Sequence, residues 1–386
     1  MRSPELTLSR RTFLRAMGGA LTAALLVPPT PLRGQGRPEG ADAVVEVLRL
    51  PEGEPRPSPR ANATLVWDPV GERLLLFGGL GRQGYLGDVW ALQLDGEGGA
   101  RWNLLSAPEA GEPAPTPAPA PRRGHSALFD PEAGRMVIAF GQGGGFFHDV
   151  WAFDPEAGRW EPWSPMGAEG APPPRYGSVL VYDERERRGV EFAGFTSAGR
   201  FDDAPAFELA TRRWIGDRTA PESPRPQRRC LHTGVYDPVG HRLVIFGGQR
   251  AGALDDTWAL DLETGVWREL VPDPDSAARP PARFFAVSAY DAEGARMLLT
   301  GGRGRAVYGD LWALDLRRGA GEGRAVAAWR PLRVEGEAEA RERLVRHSAA
   351  GAFIPERWLW VLVGGRDRDG RLLDDVLVLA LSSGRR

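Results

Sequence analysis

The side chains able to carry chemistry in this 386-residue chain are dominated by arginine. No lysine occurs, so all 49 basic residues are arginine, and Schiff-base chemistry or a lysine base is excluded. A guanidinium fork matches carboxylates and other planar anions. The single cysteine, Cys230, cannot form an intrachain disulfide. His125, His232 and His347 read as one recurring position, which raises a metal site. Their side chains would have to converge across a wide space, so hydrogen-bonded structural histidines are the better expectation. Asp367-Arg368-Asp369-Gly370 has part of a calcium-loop spacing without its later carboxylates, and an ordinary turn is expected there. No metal or cofactor is implied. A formal charge of −2 argues against a general nucleic-acid binder.

These residues need a frame, and the composition describes it. Fifty glycines and 34 prolines fit short strands joined by many turns, while 42% hydrophobic residues provide for a core. From residue 43 onward the chain repeats one pattern six times. Each copy opens with an arginine: Arg60, Arg122, Arg175, Arg229, Arg283, and Arg343 or Arg346. An apolar second strand follows, such as Leu74 to Phe77 or Leu243 to Phe246, ending in glycine. Asp88, Asp149, Asp203, Asp256, Asp310 and Asp375 then precede a third strand, with each Asp expected to accept backbone N–H groups in its turn. Trp102, Trp160, Trp214, Trp267 and Trp329 close five copies, adding bulk to an outer strand. Unalternating apolar runs of four or five residues predict strands covered on both faces.

The glycine doublet, the Asp-Val-Trp-Ala-Leu type of strand and the later Trp resemble the Kelch repeat over residues 43 to 386. The resemblance implies an all-β, six-bladed propeller with blades starting near 60, 122, 175, 229, 283 and 343. The sixth copy lacks its Trp strand, whereas residues 43 to 50 form a spare strand at the other end. That N-terminal strand is therefore expected to complete blade six and close the ring.

The Asp-to-Arg turns, such as Asp68 to Arg73, share one face; the glycine-ended loops share the opposite one, where binding groups are expected. Its candidates are Arg82, Tyr85, Phe147, His148, Arg303, Arg305, Tyr308, Arg366 and Arg368, with Phe146, Arg200, Phe201, Arg250 and Arg371 nearby. The leading arginines Arg60, Arg122, Arg175, Arg229 and Arg283 would ring the channel mouth, a place where some Kelch domains grip acidic partners. The expected role is a binding module for an acidic peptide or protein, or an anionic carbohydrate. Fold analogy offers two enzymes instead: a sialic-acid-type mutarotase and a galactose-oxidase-like copper oxidase. The copper chemistry needs a Tyr-Cys crosslink, and the lone Cys230 has no accompanying ligand motif.

Ahead of the repeats, Ser9-Arg10-Arg11-Thr12-Phe13-Leu14 and the apolar stretch Ala16 to Val27 resemble a twin-arginine export signal over residues 1–35, followed by a linker over 36–42. The resemblance implies periplasmic or extracellular delivery of a folded protein. The apolar stretch is too short to span a bilayer, so no membrane span is expected.

Overall fold

A computed structural model describes residues 40–95, 99–107, 117–272, 278–317 and 326–382; the segment expected to act as an export signal and most of the expected linker lie outside the described residues. Six mainly antiparallel sheets follow one another along the chain, the last two each extended by a short strand that pairs in parallel. Blade one comprises Thr64–Asp68, Arg73–Leu80, Tyr85–Leu94 and Ala100–Ser106. Blade two comprises Ser126–Asp130, Arg135–Ala139, Val150–Asp154 and Arg159–Ser164. In blade three the strands are Val179–Asp183, Arg188–Phe192, Pro205–Glu208 and Arg213–Asp217. Blade four follows with Thr233–Asp237, Arg242–Gln249, Ala253–Asp261 and Trp267–Glu269. Blade five contains Phe284–Asp291, Arg296–Arg303, Leu311–Asp315 and Val326–Leu332. The first strands of adjacent blades touch all the way round, blade six against blade one included, so they line the axis.

Blade six has three strands from the C-terminal end, Ala350–Ile354, Leu359–Val363 and Val376–Leu381. Its fourth is the N-terminal Ala43–Val47, antiparallel to Val376–Leu381 with Val45 opposite Leu379. The ring closes as the sequence predicts, with a strand three residues shorter than the expected 43 to 50. Among the described residues no helix is long and apolar enough to cross a membrane.

The core lies in the second strands and between blades. Leu74, Leu75, Leu76 and Phe77 are wholly buried, as are Leu243, Val244 and Ile245. The closing tryptophans do more than fill an outer strand: each wedges against the preceding blade. Trp160 meets Phe77 at 4.9 Å, Trp267 meets Phe192 at 4.6 Å and Trp329 meets Phe246 at 5.1 Å between ring centroids. Blade two carries Ala139 at the phenylalanine position, and Phe140, one residue later, supplies the ring that meets Trp214 at 5.3 Å. At the blade five to six junction both partners shrink, to Thr300 and Val45.

Candidate functional site

The leading arginines are the most regular polar feature of the ring, and their side chains lie inside the blades. Arg60, Arg122, Arg175, Arg229, Arg283 and Arg346 are each at most 2% exposed, which removes their guanidinium groups from any ligand's reach. Each forms a bidentate pair with the aspartate that precedes its own blade's third strand. Arg122 donates to Asp149 at 2.7 and 3.0 Å, and Arg346 to Asp375 at 2.8 and 2.9 Å. Nη1 also donates to a carbonyl eighteen residues on, and Nε to a carbonyl just upstream. Four of five N–H groups are thus spent within the blade. Phe147, Phe201 and Tyr308 lie flat on Arg122, Arg175 and Arg283 at 4.1 to 4.2 Å, covering the forks.

This arrangement revises the expectations and resolves one that was open. The five leading arginines named as ligand contacts hold the blades instead, with Phe147 and Tyr308 as their covers. Of the two residues left open for the sixth copy, Arg346 is the one in register. The aspartates chiefly accept the arginine forks, and in four blades a tryptophan indole as well, such as Trp90 to Asp88 at 2.6 Å. Burial alone would raise the Asp88 carboxyl, but the Arg60 bonds and charge hold it below the usual range. His148 is also tied down: Nδ1 bonds the Pro172 carbonyl at 2.9 Å, and Nε2 accepts the Gly167 N–H at 2.8 Å.

The arginine backbones join the blades. Gly79 N–H donates to the Arg122 carbonyl at 2.9 Å, and Arg122 N–H to the Leu86 carbonyl at 3.0 Å; the same pair of bonds recurs at every junction, including Gly365 to Arg60 and Arg60 to Leu373. Two residues after each arginine sits a residue of positive φ: Asn62, Gly124, Gly177, Leu231, Phe285 and Ser348. The N–H of each donates to the carbonyl of its predecessor, from 2.6 to 3.0 Å, and Asn62 donates to Ser348. Six backbone hydrogen bonds therefore form an unbroken circle about the axis.

Between the buried arginine and this circle lies one residue per blade, bridged to the residue after the glycine: Ala61 to Leu80, Arg123 to Gln142, Tyr176 to Phe195, Cys230 to Gln249, Arg303 in line with Phe284, and His347 to Arg366. These six pairs form the inner rim of the loop face. Arg123 lies 6.0 Å from the Tyr85 ring and 5.7 Å from that of Tyr176, and its guanidinium bonds Gln142 Oε1 at 2.9 Å. Arg303 lies 5.9 Å from the Phe284 ring, and Arg366 reaches the Gly370 carbonyl at 2.7 Å. None of these three has a carboxylate within 4.0 Å among the described residues. Arg82, Arg305 and Arg368 are exposed on the same loops, further from the rim.

The histidines separate into two kinds. All three are buried, but His125 and His232 stand three residues after their arginines, whereas His347 stands one residue after Arg346, at the rim. They do not converge, which removes the shared-position premise of the metal site. Burial, with Arg122 and Arg229 close by, pushes His125 and His232 down to about 3, so both are neutral. His125 bonds Thr64 Oγ1 at 2.7 Å; blade three offers Val179 at the matching position, and neither His232 ring nitrogen finds a protein partner. His347 is lowered to about 4 by burial and by Arg303 and Arg366. Asp367 caps a local turn by accepting the Asp369 and Arg371 N–H groups, as expected of an ordinary turn.

A profile of the KLHDC2/KLHL20/DRC7 Kelch-repeats domain matches residues 45–214 and 216–385. The chain belongs to the Kelch-repeat family. A rice protein, putative adagio-like protein 2, is similar to this Kelch propeller at 30% identity over 265 residues, covering 63% of this chain and 38% of that protein. Kelch domain-containing protein 10 of Xenopus laevis is 28% identical over 189 residues, 48% of this chain and 44% of its own. Mouse multiple epidermal growth factor-like domains protein 8 is 28% identical over 243 residues, 60% of this chain and 8% of its own. The chain spans less than half the length of these relatives. Of the Kelch rim, sequence reasoning found Arg303, Arg366 and Tyr85 but missed Arg123, Tyr176 and Phe284. Their signal was present: each directly follows a leading arginine.

Proposed function

We propose that this Kelch propeller is a protein-interaction module whose channel mouth takes an acidic segment of its partner. The observation that carries the reading is the set of three rim arginines, Arg123, Arg303 and Arg366, that lack a carboxylate partner among the described residues, where every leading arginine has one. Arg123 and the Arg303–Arg366 pair stand on opposite arcs of the ring, so an extended acidic segment lying across the mouth meets both. Tyr85, Tyr176 and Phe284 add ring faces beside the charges, as suits a peptide with acidic and apolar residues. Charge-assisted hydrogen bonds of this type contribute about 1.5–3 kcal/mol each.

The test uses poly-L-glutamate as the probe. The protein is expected to bind it with an affinity that falls as salt rises, and a triple Arg123→Gln, Arg303→Gln, Arg366→Gln variant is expected to lose at least tenfold. Equal binding by the variant and the parent would refute the assignment.

A further inference from the structure

Beside the mouth, a cleft of about 730 Å³ opens between blade three and the lead-in of blade four. One wall is a short hairpin pairing Phe195–Thr196 with Gly199–Arg200. Arg200, Phe201, Asp202, Gln227, Arg228 and Arg250 supply most of the lining. Arg200 rests 5.3 Å from the Phe195 ring, and its Nε is buried without a protein acceptor. Arg250 reaches only the Gln227 side-chain oxygen, at 2.9 Å. Arg228 shares Asp202 through a long 3.4 Å contact. Asp203, also on the wall, is fully engaged by Arg175 at 2.7 and 2.9 Å. The cleft therefore offers three cations against one carboxylate, Asp202, that is held by the long Arg228 contact.

The mixture decides the class of ligand. A bare anion would need only the cations, and a strongly acidic peptide would meet Asp202. A peptide strand also finds little edge here, because the hairpin strands pair with each other and their flanks are bridged already, Phe195 to Tyr176 and Phe201 to Arg229. A sugar acid uses all of the wall. Its carboxylate suits the Arg200 and Arg250 forks, and its hydroxyl groups can donate to Asp202 and Gln227. One face of Phe201 is taken by Arg175 at 4.1 Å, and the ring also borders the cleft, offering apolar contact to sugar C–H groups. The volume is that of a pocket for a small ligand. We propose that this cleft is a second binding site, independent of the mouth, for a monosaccharide unit bearing a carboxylate.

The test is saturation-transfer NMR on the full chain with glucuronate as the probe, and glucose and acetate as comparison probes. The expected result is saturable glucuronate binding at least tenfold tighter than that of either comparison probe. Arg200→Gln should abolish it, and Asp202→Asn should weaken glucuronate without changing acetate. Arg303→Gln, at the mouth, should leave it unchanged, which separates this site from the peptide reading. The melting temperature of Arg200→Gln is expected to match the parent, since the side chain is half-exposed. Absence of saturable binding, an equal response to acetate, or binding that survives Arg200→Gln would overturn the proposal.

Discussion

At the scale of single residues, neighbours in sequence take opposite roles. Arg122 is sealed under Phe147 and spent on Asp149, while Arg123 stands at the rim between two tyrosines. A second residue-scale feature is Glu191, wholly buried in a second strand where the other blades carry leucine or isoleucine. Its Oε1 accepts the Ser126 hydroxyl at 2.9 Å across the junction of blades two and three, and Oε2 has no protein partner. Burial pushes this carboxyl up to about 7, against the opposing pull of the Ser178 and Ser126 hydrogen bonds. A raised folded-state value means that the carboxyl favours the native state most below its unfolded value of 4.5, and that this contribution is lost as pH rises through about 7. Glu191→Gln keeps an acceptor for Ser126 and removes the titration. Its stability is expected to match the parent near pH 4.5 and to exceed it by about 3 kcal/mol above pH 8. Melting curves of the two proteins across that range check this, and parallel curves would contradict it. His125, His232 and His347 act in the other sense: their folded values are depressed, so their contribution is intact above 6.5 and is lost as pH falls.

At the scale of elements, the glycine that ends each second strand has a geometric cause. Gly78, Gly247, Gly301 and Gly364 all have φ between 62° and 67°, and a Cβ on Gly78 would lie 2.8 Å from the Arg122 carbonyl. Blades two and three place Phe140 and Ala193 in the same left-handed conformation, at φ 64° and 57°. Phe140 compensates by filling the slot against Trp214; Ala193 has no such ring. Ala193→Gly is therefore expected to stabilise the protein by about 0.5–1 kcal/mol, and Phe140→Gly to destabilise it by about 3 kcal/mol or more. Denaturant titrations of the two variants measure both signs. Strands, glycines and blade order were legible in the sequence because each recurs six times in the same order. The partner of each leading arginine was not, although its residues were in view. Arg122 and Asp149 are 27 residues apart, and only the fold of a blade brings the end of one connection onto the start of another. Rim residues such as Tyr176 and Phe284 were missed for a related reason: their place after each leading arginine repeats, but the residue type there differs from blade to blade.

At the scale of the whole molecule, the two chain ends share one sheet, and every contact round the axis depends on that closure. Val44 and Ala380 are paired across the seam and both are half-buried. With Cys230→Ser to remove the native thiol, Val44→Cys and Ala380→Cys are expected to form a disulfide spontaneously and to raise the melting temperature on oxidation. Persistent free thiols in the native protein would contradict a shared sheet. The closed ring also explains the division of labour among its arginines. Packing consumes the buried set and leaves the rim set for a partner. A paired measurement on Arg122→Gln and Arg123→Gln tests this division most directly, reading melting temperature and poly-L-glutamate affinity together. Arg122→Gln leaves Asp149 buried without its partner and is predicted to cost about 3–5 kcal/mol of stability, while the molecules that remain folded bind normally. Arg123→Gln is predicted to melt with the parent and bind more weakly. The opposite pattern, with binding lost at Arg122 and stability lost at Arg123, would contradict the account.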